Sequence, residues 1–195
     1  MTLALFDFDG TITKSDSFFR FIRFVVGNTR SVIGGIVLSP ILLVYKLKLM
    51  PNYKAKQKVI SWFFKGMSEE TFLAMARDFS LVHIDEIIRD DAMKKIAWHK
   101  RQGHKVIVVS ASLECWLLPW TQKHGLELLA TKLEIKNNEV TGKLLGKNCY
   151  GQEKVNRIKE VYDIKKYDYI YAYGDSRGDK EMLSLANESF YKLMN

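Results

Sequence analysis

The stretch Leu3-Ala4-Leu5-Phe6-Asp7-Phe8-Asp9-Gly10-Thr11 decides how this 195-residue chain is read. Leu3 to Phe8 has the apolar character of a strand, and it delivers Asp7 and Asp9 at its carboxyl end. Gly10 and Thr11 let the chain turn away at once. Two apart on a regular strand, the two carboxylates would share a face. Close carboxylates repel, and a divalent cation relieves that repulsion.

Working outward, two further strands end in polar clusters. Val106-Ile107-Val108-Val109 is continuously apolar and β-branched, as expected of a strand covered on both faces, and runs into Ser110-Ala111-Ser112. Tyr167 to Tyr173 runs into Gly174-Asp175-Ser176-Arg177-Gly178-Asp179. Strands alternating with helices predict an α/β architecture with a mostly parallel sheet flanked by helices. Ligands bind such sheets outside the carboxyl ends of the strands. Three polar clusters at three strand ends therefore predict one site. Asp175 and Asp179 add oxygens suited to Mg2+, while Lys154 and the Ser110 hydroxyl are available for a phosphoryl group.

The remaining elements are mostly helical. Ser15 to Val26 and Ser31 to Met50 are strongly apolar, with a stop at Met50-Pro51-Asn52. The most apolar part, Val32 to Tyr45, is interrupted by Ser39-Pro40 and is short for a membrane span. Further helices are expected over Lys54 to Lys65, over a segment capped by Ser68 that carries Phe72, Ala76 and Phe79, and over Ile84 to Gln102. Gly103 then serves as terminator. A helix near Leu113 to His124, a hairpin over Lys132 to Leu145 turning at Asn137-Asn138, and a helix over Gln152 to Tyr162 follow. A short helix and a strand at about Ser189 to Leu193 close the chain.

Composition sets the class. The chain is 47% hydrophobic with a formal charge of +8, which favours anionic partners. Lys and Arg are spread without a basic block, and no recognition motif supports nucleic-acid binding. Cys115 and Cys149 form no CxxC pair, which fits a reducing, cytoplasmic setting. The four histidines have no zinc-ligand spacing. With no basic leader and no cleavage site, the N-terminus reads as the first strand and not as a signal peptide.

Asp7-Phe8-Asp9-Gly10-Thr11 resembles the DxDGT signature of haloacid dehalogenase superfamily phosphatases. Ser110, Lys154 and the segment Gly174 to Asp179 follow in that family's order, so the resemblance spans nearly the whole chain. It implies a Rossmann-like core over residues 1–13 and 101–195, with an all-helical cap over 14–100 like that of the phosphoserine-phosphatase branch. It also implies an aspartyl-phosphate mechanism. Asp7 would be nucleophile and Asp9 general acid and base. Ser110 and Lys154 would stabilise the phosphoryl oxygens, and Mg2+ would sit among Asp7, the Asp9 carbonyl, Asp175 and Asp179. Thr11, Ala111 and Ser112 would line the substrate.

Asp16 takes the place of the acidic residue that reads a substrate amine, where phosphoserine enzymes usually carry glutamate. Arg20, Arg23, Arg77 and Arg89 all compete for the place of the cap arginine. The expected partner is thus a small phosphorylated substrate or a phospholipid headgroup. The apolar, cationic cap also resembles a group that includes phosphatidylglycerophosphate phosphatases, implying peripheral contact at the inner face of the membrane. Packing of the cap against the sheet accounts for the same apolar residues. A receiver-like phospho-aspartate module is the rival class, but it leaves Asp9-Gly10-Thr11 and the large cap unexplained.

Overall fold

The computed structural model describes residues 1–192. Six strands form one mixed sheet in the order β4-β3-β2-β1-β5-β6. They are β1 Thr2–Phe6, β2 Lys105–Leu113, β3 Glu127–Lys136, β4 Glu139–Leu145, β5 Tyr169–Gly174 and β6 Glu188–Tyr191. Only β4 is antiparallel to its neighbour; β1 lies at the centre, parallel to both β2 and β5. The three strands that carry polar clusters therefore end side by side along one edge. The expected closing strand reached Leu193, which lies outside the described residues.

Side-chain alternation splits the core in two. Leu3 and Leu5 of β1, with Ile107 and Val109, face Ile158 and Met182. Ala4 and Phe6, with Val106 and Val108, face a larger cluster containing Trp116 and Trp120. The first layer is covered by α6 (Gln152–Val161) and α7 (Lys180–Leu183). Over the second lie α4 (Asp90–Arg101), packed on β2, and α5 (Glu114–Lys123).

The helical insertion consists of α1 (Ser17–Lys46), α2 (Asn52–Phe64) and α3 (Glu69–Asp78). It joins the core through Phe21, whose ring stacks on Trp116 at 4.5 Å between centroids and meets Phe64, Phe72 and Phe79 at 5.4–5.6 Å. Ser68 caps α3 as expected, accepting from the Thr71 amide at 3.2 Å. Asn137 and Asn138 make the hairpin turn with φ of 51° and 59°.

The break between the two apolar helical stretches falls at Gly27 (φ 76°, ψ 171°), in the gap that the sequence leaves between Val26 and Ser31, and the second stretch runs helical through Pro40. Pro40 has no N–H for the Ile36 carbonyl, and the Ser39 hydroxyl donates to that carbonyl instead, at 2.7 Å. Two local expectations are corrected. The helix expected over Ile84 to Gln102 is interrupted: a π turn (Phe79–His83) and a 3-10 turn (Asp85–Ile87) precede an extended Ile88-Arg89. There Thr13 and Ile88 form an isolated antiparallel bridge, which closes the base of the insertion. Finally, β3 starts at Glu127, five residues before the expected hairpin, because its first half pairs in parallel with β2.

Candidate active site

Asp7 lies just past the end of β1, and its amide still donates to the Tyr173 carbonyl on β5 at 2.9 Å. This holds the buried carboxylate at the sheet edge. Lys154, three residues into α6, reaches it from below. Its Nζ donates to Asp7 Oδ1 at 2.5 Å, Asp179 Oδ1 at 2.6 Å and the Val109 carbonyl at 2.6 Å. Three hydrogens meet three acceptors, so the ammonium is saturated.

Asp179 is both a structural cap and part of the site. Its Oδ2 accepts from the Ser176 hydroxyl at 2.7 Å and amide at 2.9 Å, and from the Asp175 amide at 3.3 Å. Oxygens of Asp7, Asp175 and Asp179 lie within 4.8 Å of one another. Thr11 sits beside them, donating long bonds to Asp7 at 3.5 Å and Asp175 at 3.4 Å. Gly10 (φ 84°) packs on the Asp175 carboxylate so closely that a Cβ would overlap it.

Electrostatics mark this group as short of positive charge. Burial pushes the Asp7 carboxyl up to about 8, against the opposing charge of Lys154 and with further repulsion from Asp179. Burial also raises Asp175, helped by Asp179. Asp179 resists its own burial and lies below the usual range, because Lys154 and Ser176 favour its charged form. Burial works against the Lys154 ammonium, but Asp7 and Asp179 outweigh it and raise its pKa. Three clustered carboxylates, with one ammonium bonded to two of them, fit a small divalent cation such as Mg2+.

Asp9 does not share this face. The strand ends at Phe6, and the Asp9 carboxylate turns to the cap side. There Oδ1 accepts from the Ser17 amide at 2.6 Å and Oδ2 from the Ser112 hydroxyl at 2.5 Å. Burial, then the charge of Asp16, push it up to about 6. Asp16 is the N-cap of α1, accepting from the Phe18 amide at 2.8 Å. The buried Ser110 hydroxyl accepts from the Ser112 amide at 3.0 Å.

Asp7, Asp9, Asp16, Ser110, Ala111, Ser112 and Asp175 all line one cavity of about 540 Å3 between sheet edge and helical insertion. Thr11, Lys154 and Asp179 stand behind that wall. Sequence reasoning missed the opposite wall, where α2 contributes Asn52 and Lys56 and the α1 side contributes Phe18 and Tyr45. Lys56 Nζ donates to the Ala111 carbonyl at 2.6 Å, with the Phe18 ring centroid 5.2 Å away. Burial lowers its pKa, against the charges of Asp9 and Asp16. No motif marks Lys56, because its distance from Ala111 is set by packing alone. Of the four competing arginines, Arg89 reaches the Gly10 carbonyl at 3.4 Å, at the base of the insertion.

The family of haloacid dehalogenase-like hydrolases matches residues 4–184, and the chain belongs to it. Protein CicA of Caulobacter vibrioides is 33% identical over 98% of this chain and 86% of its own length. A solved protein of unknown function from Bordetella pertussis superposes with a TM-score of 0.85 at 20% identity, covering 97% of this chain and 89% of that one. A phosphoserine phosphatase, solved as a phospho-aspartyl intermediate analogue, superposes with a TM-score of 0.70 at 20% identity over 97% and 85% of the two chains. The expected fold class and family are therefore correct.

Proposed function

We propose that the chain hydrolyses phosphate monoesters through a phosphorylated Asp7. The observation that carries this reading is the buried Asp7 carboxylate on the cavity wall, pinned by Lys154 beside Asp175 and Asp179, with Asp9 held separately near a pKa of 6. Membership of a hydrolase family and the fold shared with a phosphoserine phosphatase support it.

In the first step Asp7 attacks phosphorus, the P–O bond to the leaving alcohol breaks, and Asp9 donates its proton to that oxygen. In the second, Asp9 takes a proton from water as the water oxygen attacks the same phosphorus. Asp7 and inorganic phosphate are released. A pKa near 6 suits a group that must donate and then accept at neutral pH. Ser110 and Lys154 orient and neutralise the phosphoryl oxygens, with Lys154 exchanging one of its carboxylate bonds for the substrate. Asp7, Asp175, Asp179 and the Asp9 main-chain carbonyl would hold Mg2+, which would supply positive charge against those oxygens. Thr11 steadies the Asp7–Asp175 pair, while Ala111 and Ser112 shape the wall that the substrate meets.

The insertion of α1 to α3, within the residues 14–100 expected for it, serves as the cap that excludes water and selects the leaving group. Asp16 and Lys56 both line the cavity and would read opposite charges on a substrate. We place this activity in the cytoplasm.

The test is Asp7→Asn, assayed for phosphate release from p-nitrophenyl phosphate with and without Mg2+. No turnover is expected, with an unchanged circular dichroism spectrum. Substantial turnover by the variant would overturn the reading.

A further inference from the structure

The sequence hides a charge asymmetry that the fold concentrates. Residues 17–68 contain nine Lys and Arg and no Asp or Glu, so the rest of the chain is nearly neutral. The cations form no block; the acids are missing. That segment is α1 and α2, with Arg20, Arg23, Arg30, Lys46, Lys54 and Lys58 exposed.

The same segment carries apolar surface that nothing covers. Beyond the Gly27 break, α1 has two unlike sides. Gly34 and Leu38 are buried, and Gly34 lies so close to Phe63 of α2 that a Cβ would overlap its ring. The opposite side presents Val32 (59% exposed), Ile36 (68%) and Leu43 (56%), with Ile33 and Val37 beside them. Packing against the sheet therefore accounts for Phe18, Phe21 and Ile22, and not for this face. By length and composition α1 could cross a membrane. Its first half, however, is held in the core by Phe21 on Trp116, and Arg20, Arg23 and Arg30 interrupt it. An apolar helix face framed by cations lies in a membrane interface, where anionic headgroups meet the charges.

A second cavity opens next to this face. It holds about 390 Å3, with Ile22, Leu38 and Phe63 on its wall and Arg20 and Arg23 also lining it. Phe19, Leu42 and Val59 line both it and the catalytic cavity, so the two cavities adjoin across an apolar wall. The volume is in the range of small-molecule sites.

We propose that the α1–α2 face docks on an anionic phospholipid bilayer and that the second cavity takes the hydrocarbon part of a membrane-borne phosphate monoester. This deepens the phosphatase reading and rests on it for the substrate, though not for the docking.

Two measurements test it with the full chain. In flotation with phosphatidylglycerol vesicles at low salt, the protein rises with the lipid at least tenfold more than with phosphatidylcholine vesicles. The double variant Ile36→Asp, Leu43→Asp stays at the bottom, with unchanged turnover of p-nitrophenyl phosphate. No flotation, equal flotation on both lipids, or sedimentation showing a stable dimer that the double variant abolishes would overturn the docking. In the second, Gly35→Leu fills the cavity from a position where a Cβ meets nothing within 4 Å. It should cut kcat/KM for dodecyl phosphate at least tenfold and leave p-nitrophenyl phosphate unchanged. An equal effect on both, or on neither, would overturn the chain site. Flotation without hydrolysis of any monoester would sink the phosphatase reading and leave the docking standing.

Discussion

The Ser112 hydroxyl donates a 2.5 Å hydrogen bond to the Asp9 carboxylate, tying the end of β2 to the loop after β1. That bond favours the charged form of Asp9 and opposes the burial that raises its pKa to about 6. Ser112→Ala removes it, so the Asp9 pKa rises further. In the proposed mechanism the first step needs protonated Asp9, so its rate falls as pH climbs through that pKa. The falling limb of kcat/KM against pH should move to higher pH in Ser112→Ala. A limb that stays put, or moves to lower pH, would remove Asp9 as the acid.

Cation binding should release a proton. A carboxyl with a pKa near 8 is mostly protonated at pH 6.5, and Asp7 must lose that proton to become a ligand. Mg2+ affinity should therefore rise with pH until about 8 and flatten above it. Calorimetry at pH 6.5 in two buffers of different ionisation enthalpy should report roughly one proton released. Identical heats in both buffers would contradict the assignment.

Lys154→Met should destabilise the fold by about 3–5 kcal/mol, since it leaves the Asp7 and Asp179 carboxylates buried without their common partner. Added Mg2+ should recover part of that loss by neutralising the same oxygens. Urea unfolding with and without Mg2+ measures both. A loss under 1 kcal/mol would mean that the two carboxylates find other partners.

Phe21→Ala should cost about 3–5 kcal/mol, because the ring fills the space between Trp116 of the core and Phe64, Phe72 and Phe79 of the insertion. The insertion should loosen first. Amide exchange in α2 and α3 should speed up more than in β1. Uniform acceleration would mean that the insertion and sheet unfold together.

Much of this protein was legible in its sequence. Strand content, the site at three strand ends, the Ser68 cap and the Asn137-Asn138 turn all follow from patterns within a few residues. The misreadings share a cause. The helix that periodicity predicts over Ile84 to Gln102 is broken where Ile88 bridges to Thr13, and the regular strand that would put Asp9 beside Asp7 stops at Phe6. Both depend on a hydrogen bond or a strand end that periodicity does not encode.

By itself the sequence marked the candidates for the chemistry, because acidic, basic and hydroxyl side chains at strand ends announce themselves by type and spacing. Only tertiary structure decided how they divide. It gave Asp7 and Asp179 to one ammonium with Asp175 beside them, gave Asp9 to two serines, and brought Lys56 to Ala111 across 55 residues. It also sorted the apolar residues of α1 into a buried side and an exposed one. Those outcomes turn on distances between segments remote in the chain, which packing sets.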